Sequence, residues 1–255
     1  MKINVVFNKN ITEYSSVLSE LEQALINFGL EFQTFELNNM GFFGEITIVI
    51  GGDGTLLRAA KFYSRWQVPV IGVNMGRLGF LSQVSRNEIN YLVEKIANND
   101  FYIESRMMLS SIDKIALNDF VIKGCDSSRT SKFYLEINGE EVCDYVADGL
   151  IVSTSTGSTV YGLSAGGPII SPSLDVISIV PICAHTLNAR PLVIPKNEVI
   201  TVKTSDKLLS VSIDGYETEK CVDKITIKAE NQKAQLAFLQ KTTFYEVLRN
   251  KLNWG

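Results

Sequence analysis

The sequence predicts an α/β + β chain: an N-terminal open parallel α/β domain, then a β-sandwich-like C-terminal domain, with a C-terminal helix returning to the first. Three features point there. Up to residue 101, apolar β-type runs alternate with stretches of helical periodicity. From Tyr102 onward the runs are short, β-rich and separated by turn signals, and Thr242–Leu252 then regains helical spacing. The expected division is residues 1–101 together with 241–255 for the α/β domain, and 102–240 for the β-rich one.

The elements follow in order. Lys2–Phe7 (KINVVF) reads as a first strand. Thr12–Phe28 places Val17, Leu18, Leu21, Leu25 and Phe28 at helical spacing, and Gly29 is a natural C-terminal stop. Glu31–Leu37 is a second strand. Glu45–Ile50 (EITIVI) is a third, apolar enough to be buried on both faces as parallel strands are. The run Gly51-Gly52-Asp53-Gly54-Thr55 leads into a helix expected over Leu56–Trp66. Val68–Val73 is a fourth strand, and Arg86–Asn98 a helix that Ser85 is placed to cap. In the β-rich part, Phe120–Lys123, Phe133–Ile137, Val199–Val202, Leu209–Ile213, Lys224–Lys228 and Ala234–Leu239 read as strands. Asn138-Gly139 and Asp214-Gly215 are two-residue hairpin signatures.

Composition removes several function classes. Hydrophobic residues at 45% against 20% charged exclude a disordered chain. The 24 basic and 28 acidic residues include no Lys/Arg run, so there is no electrostatic footprint for nucleic acid or an anionic membrane. No apolar run approaches the ~20 residues of a membrane helix. MKINVVFNKN also lacks the continuous apolar region of a signal peptide. Cys125, Cys143, Cys183 and Cys221 are dispersed, which suits neither a zinc site nor a compact disulfide framework. They are expected to be reduced and mostly buried in a cytoplasmic protein. The single histidine, His185, has no nucleophile motif near it, so acid–base chemistry falls to a carboxylate.

Three stretches carry chemistry. Glycines 51, 52 and 54, between a buried strand and a helix, let backbone N–H groups approach an anion, and the helix N-terminus adds its positive dipole end. The pattern is neither a Walker A loop nor G-x-G-x-x-G. Asp53 is out of place in an anion cradle unless it does chemistry or meets a metal; the plain alternative is that it caps the helix beginning near Leu56. The second stretch, Asp148 to Pro168 (DGLIVSTSTGSTVYGLSAGGP), reads as a strand feeding a Ser/Thr/Gly turn and a short helix. Its hydroxyls and free N–H groups make a neutral polar ligand site, with Tyr161 offering a flat face to a base, unless it is an ordinary Ser/Thr-rich turn. The third, Asn118-Asp119 at a strand edge, is by itself commonly a turn.

Taken together and in this order, the motifs resemble those of NAD kinases. So do NMGRLGFL at Asn74–Leu81, HTLNARPLVIP at His185–Pro195 and LRNKLNWG at Leu248–Gly255. GGDGT alone also suits diacylglycerol and sphingosine kinases; the other two motifs are more specific. The resemblance implies phosphorylation of the 2′-hydroxyl on the adenosine ribose of NAD, giving NADP, with ATP or polyphosphate as donor. It implies a divalent cation, Mg²⁺, delivered with ATP and without a dedicated protein metal site, and a homodimer or homotetramer.

Residue by residue, the resemblance makes Asp53 the catalytic base. Gly51, Gly52, Gly54 and Thr55 become the phosphate loop, Arg58 a basic position just inside the next helix, and Phe80 an aromatic against the substrate. Asn118 and Asp119 become the pair that hydrogen-bonds the ribose and neighbouring phosphate, and Asp148 an acidic group near the nicotinamide-side ribose. Thr156, Thr159, Val160, Tyr161, Gly162, Leu163 and Ser164 form the adenine-contacting turn. Cys183 and His185 belong to a stretch reaching the site from the same or a neighbouring subunit, with a purely structural His185 standing equally. Arg129 matches a loop position often basic, where a surface arginine is the commoner explanation.

The departures from the family pattern are few. Ser155 stands for a common Pro, Val160 for Ala, Val146 for Arg or Lys, and Ala184 for Pro. They bear on turn rigidity, substrate affinity and NAD-versus-NADH preference, not on reaction class. Two competing readings are a lipid kinase, which wants a basic or apolar membrane-facing surface, and a non-catalytic dinucleotide sensor, which gains nothing from a carboxylate beside phosphates.

Overall fold

A computed structural model describes every residue except 77, 78, 83, 112, 126–129, 187, 206, 207, 222, 223 and 253–255, and the side chains of 220 and 221. The chain divides into two compact units, Met1–Ser105 with Lys233–Gly255, and Arg106–Gln232.

In the first unit β1 (Lys2–Phe7), α1 (Tyr14–Asn27), β2 (Glu31–Glu36), β3 (Ile46–Ile50), α2 (Asp53–Tyr63), β4 (Val70–Asn74), β5 (Val84–Ser85), α3 (Ile89–Ala97) and β6 (Tyr102–Arg106) follow one another. The sheet runs β2-β1-β3-β4 with parallel pairing. A strand from the far end of the chain, Ala234–Phe238, continues it beside β4, and β6 follows. Every residue of β3 and β4 is buried, as the continuous apolar runs require. On one face Val17, Leu21 and Leu25 of α1 and Ile89, Leu92 and Ile96 of α3 share a core with Ile3, Val5, Ile48, Ile71 and Val73. Gly72, between Ile71 and Val73, points to the opposite face, where it meets Leu56 of α2. Helices thus cover both faces of an open parallel sheet.

Local signals set the helix ends. At Gly29, Leu30 N–H bonds Leu25 O and Gly29 N–H bonds Ile26 O, the pairing of a Schellman stop. Ser85 and Glu88 form a capping box before α3. Asn4, which interrupts the apolar run of β1, is fully buried and pins the incoming loop. Its Oδ1 accepts the N–H groups of Phe43 and Gly44, both at 2.8 Å, and its Nδ2 donates to Thr47 Oγ1 at 3.1 Å.

The second unit holds β7 (Leu109–Ser111), β8 (Lys114–Ala116), β9 (Asp119–Gly124), β10 (Ser131–Ile137), β11 (Glu140–Ala147), β12 (Gly149–Thr154), α4 (Tyr161–Ser164), β13 (Val176–Ile182), β14 (Leu192–Pro195), β15 (Ile200–Thr204), β16 (Leu209–Ile213), β17 (Glu217–Cys221) and β18 (Lys224–Ala229). They form two six-stranded sheets, β11-β10-β15-β18-β7-β8 and β14-β13-β12-β9-β16-β17. Both contribute alternate residues to one core, including Phe133, Leu135, Val202 and Ile227 from the first and Phe120, Leu150, Val152 and Val211 from the second. That is a β-sandwich. Both hairpin signatures sit where expected, joining β10 to β11 and β16 to β17, with Asn138 and Asp214 at positive φ (53° and 50°) as such turns demand.

The last two elements, β19 (Ala234–Phe238) and α5 (Phe244–Leu252), belong to the first unit. The sequence texture groups Ala234–Leu239 with the β-rich part and starts that part at Tyr102. The structure instead pairs Leu236 with Val70 and keeps β6 in the parallel sheet. An alternating AQLAF run fits either sheet by pattern, so only pairing decides. A second expectation is corrected at the thiols: Cys125, Cys143 and Cys183 are exposed rather than buried, because they lie at strand ends and on the outer strand β11. Among the described residues no helix is long and apolar enough to cross a membrane.

Asn4→Ala leaves the buried N–H of Gly44 and the part-buried N–H of Phe43 without an acceptor and is expected to cost about 3 kcal/mol. Urea unfolding should show this as an earlier transition of the first unit.

Candidate active site

The first unit presents the turn between β3 and α2. The helix begins at Asp53 itself, with Gly52 as its N-cap, three positions earlier than the Leu56 start the sequence suggests. It does so because Gly52 O already accepts the N–H groups of Thr55 and Leu56, at 2.9 and 3.1 Å. Asp53 is therefore not a cap. Its side chain turns to the loop between β4 and β5. Oδ2 accepts Phe80 N–H at 2.6 Å, and Oδ1 accepts Ser82 N–H at 3.2 Å and Ser82 Oγ–H at 3.1 Å. Leu81 N–H lies between the two oxygens, at 3.3 and 3.4 Å. A Cβ on Gly79 would overlap this carboxylate, so that position needs glycine for the loop to close on it.

Of the other residues expected here, Gly51 is buried, Gly54 is exposed on the first helical turn, and Thr55 is buried within reach of Asn8 Nδ2 (3.5 Å). Arg58 stands one turn further along α2 and donates to Asn38 Oδ1 at 3.0 Å. Phe80 reaches Asp53 through its backbone, with its ring half-buried.

The second unit presents a different polar centre, at the start of β9. Asp214, at the tip of the β16–β17 hairpin, accepts the N–H groups of Leu117 (3.1 Å), Asn118 (2.7 Å) and Asp119 (3.2 Å). Its own N–H returns to Asp119 O at 3.0 Å. Thr154 N–H bonds Asn118 O at 2.9 Å, and Thr154 Oγ1 donates to Leu117 O at 2.6 Å. Gly157 passes so close to Asn118 that a Cβ would strike its carbonyl. The backbone of the pair is thus fully held while its side chains are not. Asn118 Oδ1 is buried without a partner. Asp119, 3% exposed, has its pKa pushed up to about 7, first by burial and then by the negative charge of Asp214. Both residues line a cleft of about 330 Å³ together with Val160, Tyr161, Lys123, Ser212 and Thr218.

The turn 156–164 differs from its sequence reading in one respect. The N–H groups expected to be free are spent inside it: Gly157 on Thr154 Oγ1, Ser158 on Ser155 O, Val160 on Gly157 O. Tight helical turning consumes the donors that a looser loop would leave open. Thr156 is buried and accepts Thr159 Oγ1–H through its carbonyl at 3.3 Å; Gly162 is buried, Leu163 half-buried and Ser164 exposed. What the turn offers outward is the ring of Tyr161, 37% exposed, and Val160. Ser155, standing for the usual proline, ties the turn by donating to Leu174 O.

Asp148, Cys183 and His185 are brought together, but elsewhere. All three are exposed; Asp148 N–H bonds Ile182 O at 2.9 Å and His185 N–H bonds Val146 O at 2.8 Å. Asp148 precedes β12, whereas Ser153 near the other end of that strand pairs with Asp119. At ~3.3 Å per residue the two ends are about 16 Å apart. Arg129 lies outside the described residues. Sequence reasoning missed Asp214, Asn74 and Ser82. Asp-Gly announced the hairpin but not where its carboxylate would turn, and Asn74 and Ser82 flank a motif whose glycines and Phe80 drew the attention.

The sequence is matched by relatives over nearly all of the chain. Residues 4–101 fit the model of the ATP-NAD kinase N-terminal domain and residues 117–238 that of the ATP-NAD kinase C-terminal domain. This chain belongs to the NAD kinase family. A NAD kinase of Azotobacter vinelandii is 40% identical over 241 residues, covering 89% of this chain and 82% of that protein. One of Pseudomonas putida is 39% identical over 249 residues, covering 92% and 83%. Among solved structures, an Archaeoglobus fulgidus NAD kinase in complex with ATP matches with a TM-score of 0.81 at 25% identity, over 99% of this chain and 98% of that one. Yeast NADH kinase complexed with NADH shares the fold, with a TM-score of 0.87 at 22% identity over 100% and 88%. Membership makes the α/β unit and the β-sandwich the two domains of a NAD kinase.

One expected outcome concerns the raised Asp119. Its folded pKa exceeds the unfolded value, so the folded state holds the extra proton and stability declines as pH rises from about 4 to about 7. Asp119→Asn removes that decline: its urea midpoint should change less than the parent's between pH 5 and 8.

Proposed function

We propose that this chain transfers the terminal phosphoryl group of ATP to the 2′-hydroxyl of the adenosine ribose of NAD, yielding NADP and ADP. Polyphosphate is a second candidate donor. The observation that carries the reading is the Asp53 carboxylate, placed at the first position of α2 beside the glycine turn yet bonded away from the helix. An ionised carboxylate has about four acceptor sites. Ser82 N–H and Oγ–H fill those on Oδ1, Phe80 N–H takes one on Oδ2, and Leu81 N–H is shared at long range. One site on Oδ2 is left for a hydroxyl proton. As the 2′-oxygen bonds to the γ-phosphorus and the bond to ADP breaks, that proton passes to Asp53 Oδ2. The N-terminal amides of α2 face the same turn and suit the phosphate oxygens.

Asn118 and Asp119 support the other half of the reading. The unpartnered buried amide oxygen of Asn118, in the same cleft as the Asp119 carboxyl group, is an acceptor awaiting a donor, which a ribose hydroxyl supplies. Tyr161 offers its exposed ring to the adenine. Among the described residues no three His, Cys, Asp or Glu side chains converge as a metal cage. A divalent cation, Mg²⁺, would come with ATP, held chiefly by phosphate oxygens and water. When bound, the ion neutralises charge on the transferring group.

Assembly and location complete the proposal. The exposed Asp148, Cys183 and His185, remote along β12 from Asp119, fit a surface serving a second copy in a cytoplasmic homodimer or homotetramer. Size-exclusion chromatography with light scattering tests the oligomer; a monomer that retains full activity overturns it.

Incubating the protein with NAD, ATP and Mg²⁺ and reading NADP through an NADP-specific dehydrogenase tests the reaction. Asp53→Asn should bind NAD as the parent does and lower turnover by at least about two orders of magnitude. Near-normal turnover removes Asp53 from the chemistry.

A further inference from the structure

The Asp53 carboxylate is oriented by a buried side-chain relay that the reaction itself does not name. Asn74, at the end of β4, is 6% exposed, and Ser82 is 1% exposed. Asn74 Oδ1 accepts Gly76 N–H at 2.9 Å, which assigns the amide: its nitrogen must face the other way. There Nδ2 donates to Ser82 Oγ at 3.1 Å, and Gly79 N–H donates to the same oxygen at 3.4 Å. A hydroxyl oxygen has two lone pairs, and both are now met by donors. The Ser82 proton is left one direction, toward Asp53 Oδ1 at 3.1 Å.

We infer that Ser82, set by Asn74, is a positioning residue for the phosphoryl-transfer base: it locks Oδ1 and so turns the open acceptor site of Oδ2 toward the substrate hydroxyl. Two hydrogen bonds from one residue, Ser82 N–H and Oγ–H, hold Oδ1, while Oδ2 has a single short bond from Phe80. The asymmetry matters. Without the hydroxyl, Oδ1 keeps only backbone N–H donors, at 3.2 and 3.3 Å, and the carboxylate plane can twist about its Cβ–Cγ bond, misdirecting the open site. The backbone clamp alone places the group; the hydroxyl fixes its plane. Neither Ser82 nor Asn74 offers an atom to the substrate, since the polar atoms of both are committed inward.

This rests on Asp53 acting as the base, and the test separates the two. Ser82→Ala should lower kcat about 10- to 100-fold while KM for NAD and for ATP stays within about twofold, because orientation in the transition state is lost and ground-state binding is not. Ser82→Cys, which keeps the volume with a weaker donor, should fall between parent and Ala, and serves if Ala fails to fold. Asn74→Asp turns a donor into an acceptor, draws the Ser82 proton to itself, and should reproduce the kcat loss. In an Asp53→Asn background, Ser82→Ala should add less than about twofold, as members of one unit do. Folding of each variant is checked by its melting transition. A kcat within about twofold of the parent for Ser82→Ala, or no fall in kcat at all for Ser82→Cys, with Asp53→Asn disabled, overturns the inference and spares the base. So does a full additional loss in the double variant, or a rise in KM matching the fall in kcat. Normal turnover in Asp53→Asn overturns both.

Discussion

A carboxylate at the first turn of a helix ordinarily finds donors in that helix, and Asp53 does not. Its neighbours Gly52 and Gly54 leave the turn open, and a loop nearly thirty residues further along the chain supplies the N–H groups of Phe80, Leu81 and Ser82 and the Ser82 hydroxyl. That diversion ties β3, α2, β4 and β5 to a single acidic group. It also keeps the helix N-terminal amides unshared with the side chain beside them, which is the condition for an anion to use them.

In the β-sandwich the same logic runs with the signs reversed. Asp214 satisfies three backbone donors and so fixes the Leu117–Asp119 segment, while the side chains carried by that segment are left short of partners. Burial costs Asp119 part of its ionisation, and the nearby Asp214 charge adds to the cost. A fold stabilised for its own sake would place a donor there. This one leaves the Asn118 amide oxygen unpartnered in a cleft beside a carboxyl group that burial keeps largely protonated below about pH 7.

Much of this is legible in the residues. The alternation of EITIVI and VPVIGV with helical spacing gives the parallel sheet, and Asn138-Gly139 and Asp214-Gly215 give hairpins at the observed positions. These are local signals, written in side-chain periodicity and in the few residues that accept positive φ. The family motifs likewise point to Asp53, which the structure places at the first turn of α2, and to Asn118, Asp119 and Tyr161, which line one cleft of the sandwich.

Pairing and partners belong to the tertiary structure. AQLAF joins the parallel sheet through Leu236 and Val70, although the same pattern would serve the sandwich, since period-two alternation names a strand but not its neighbour. Whether Asp53 caps its helix or serves a distant loop depends on where Gly79 lets that loop approach, and Asp148 stands apart from Asp119 because β12 puts its length between them. Sequence fixes what each segment can form and which groups it carries; contact between segments far apart in the chain decides which hydrogen bonds those groups make, and which they leave unmade.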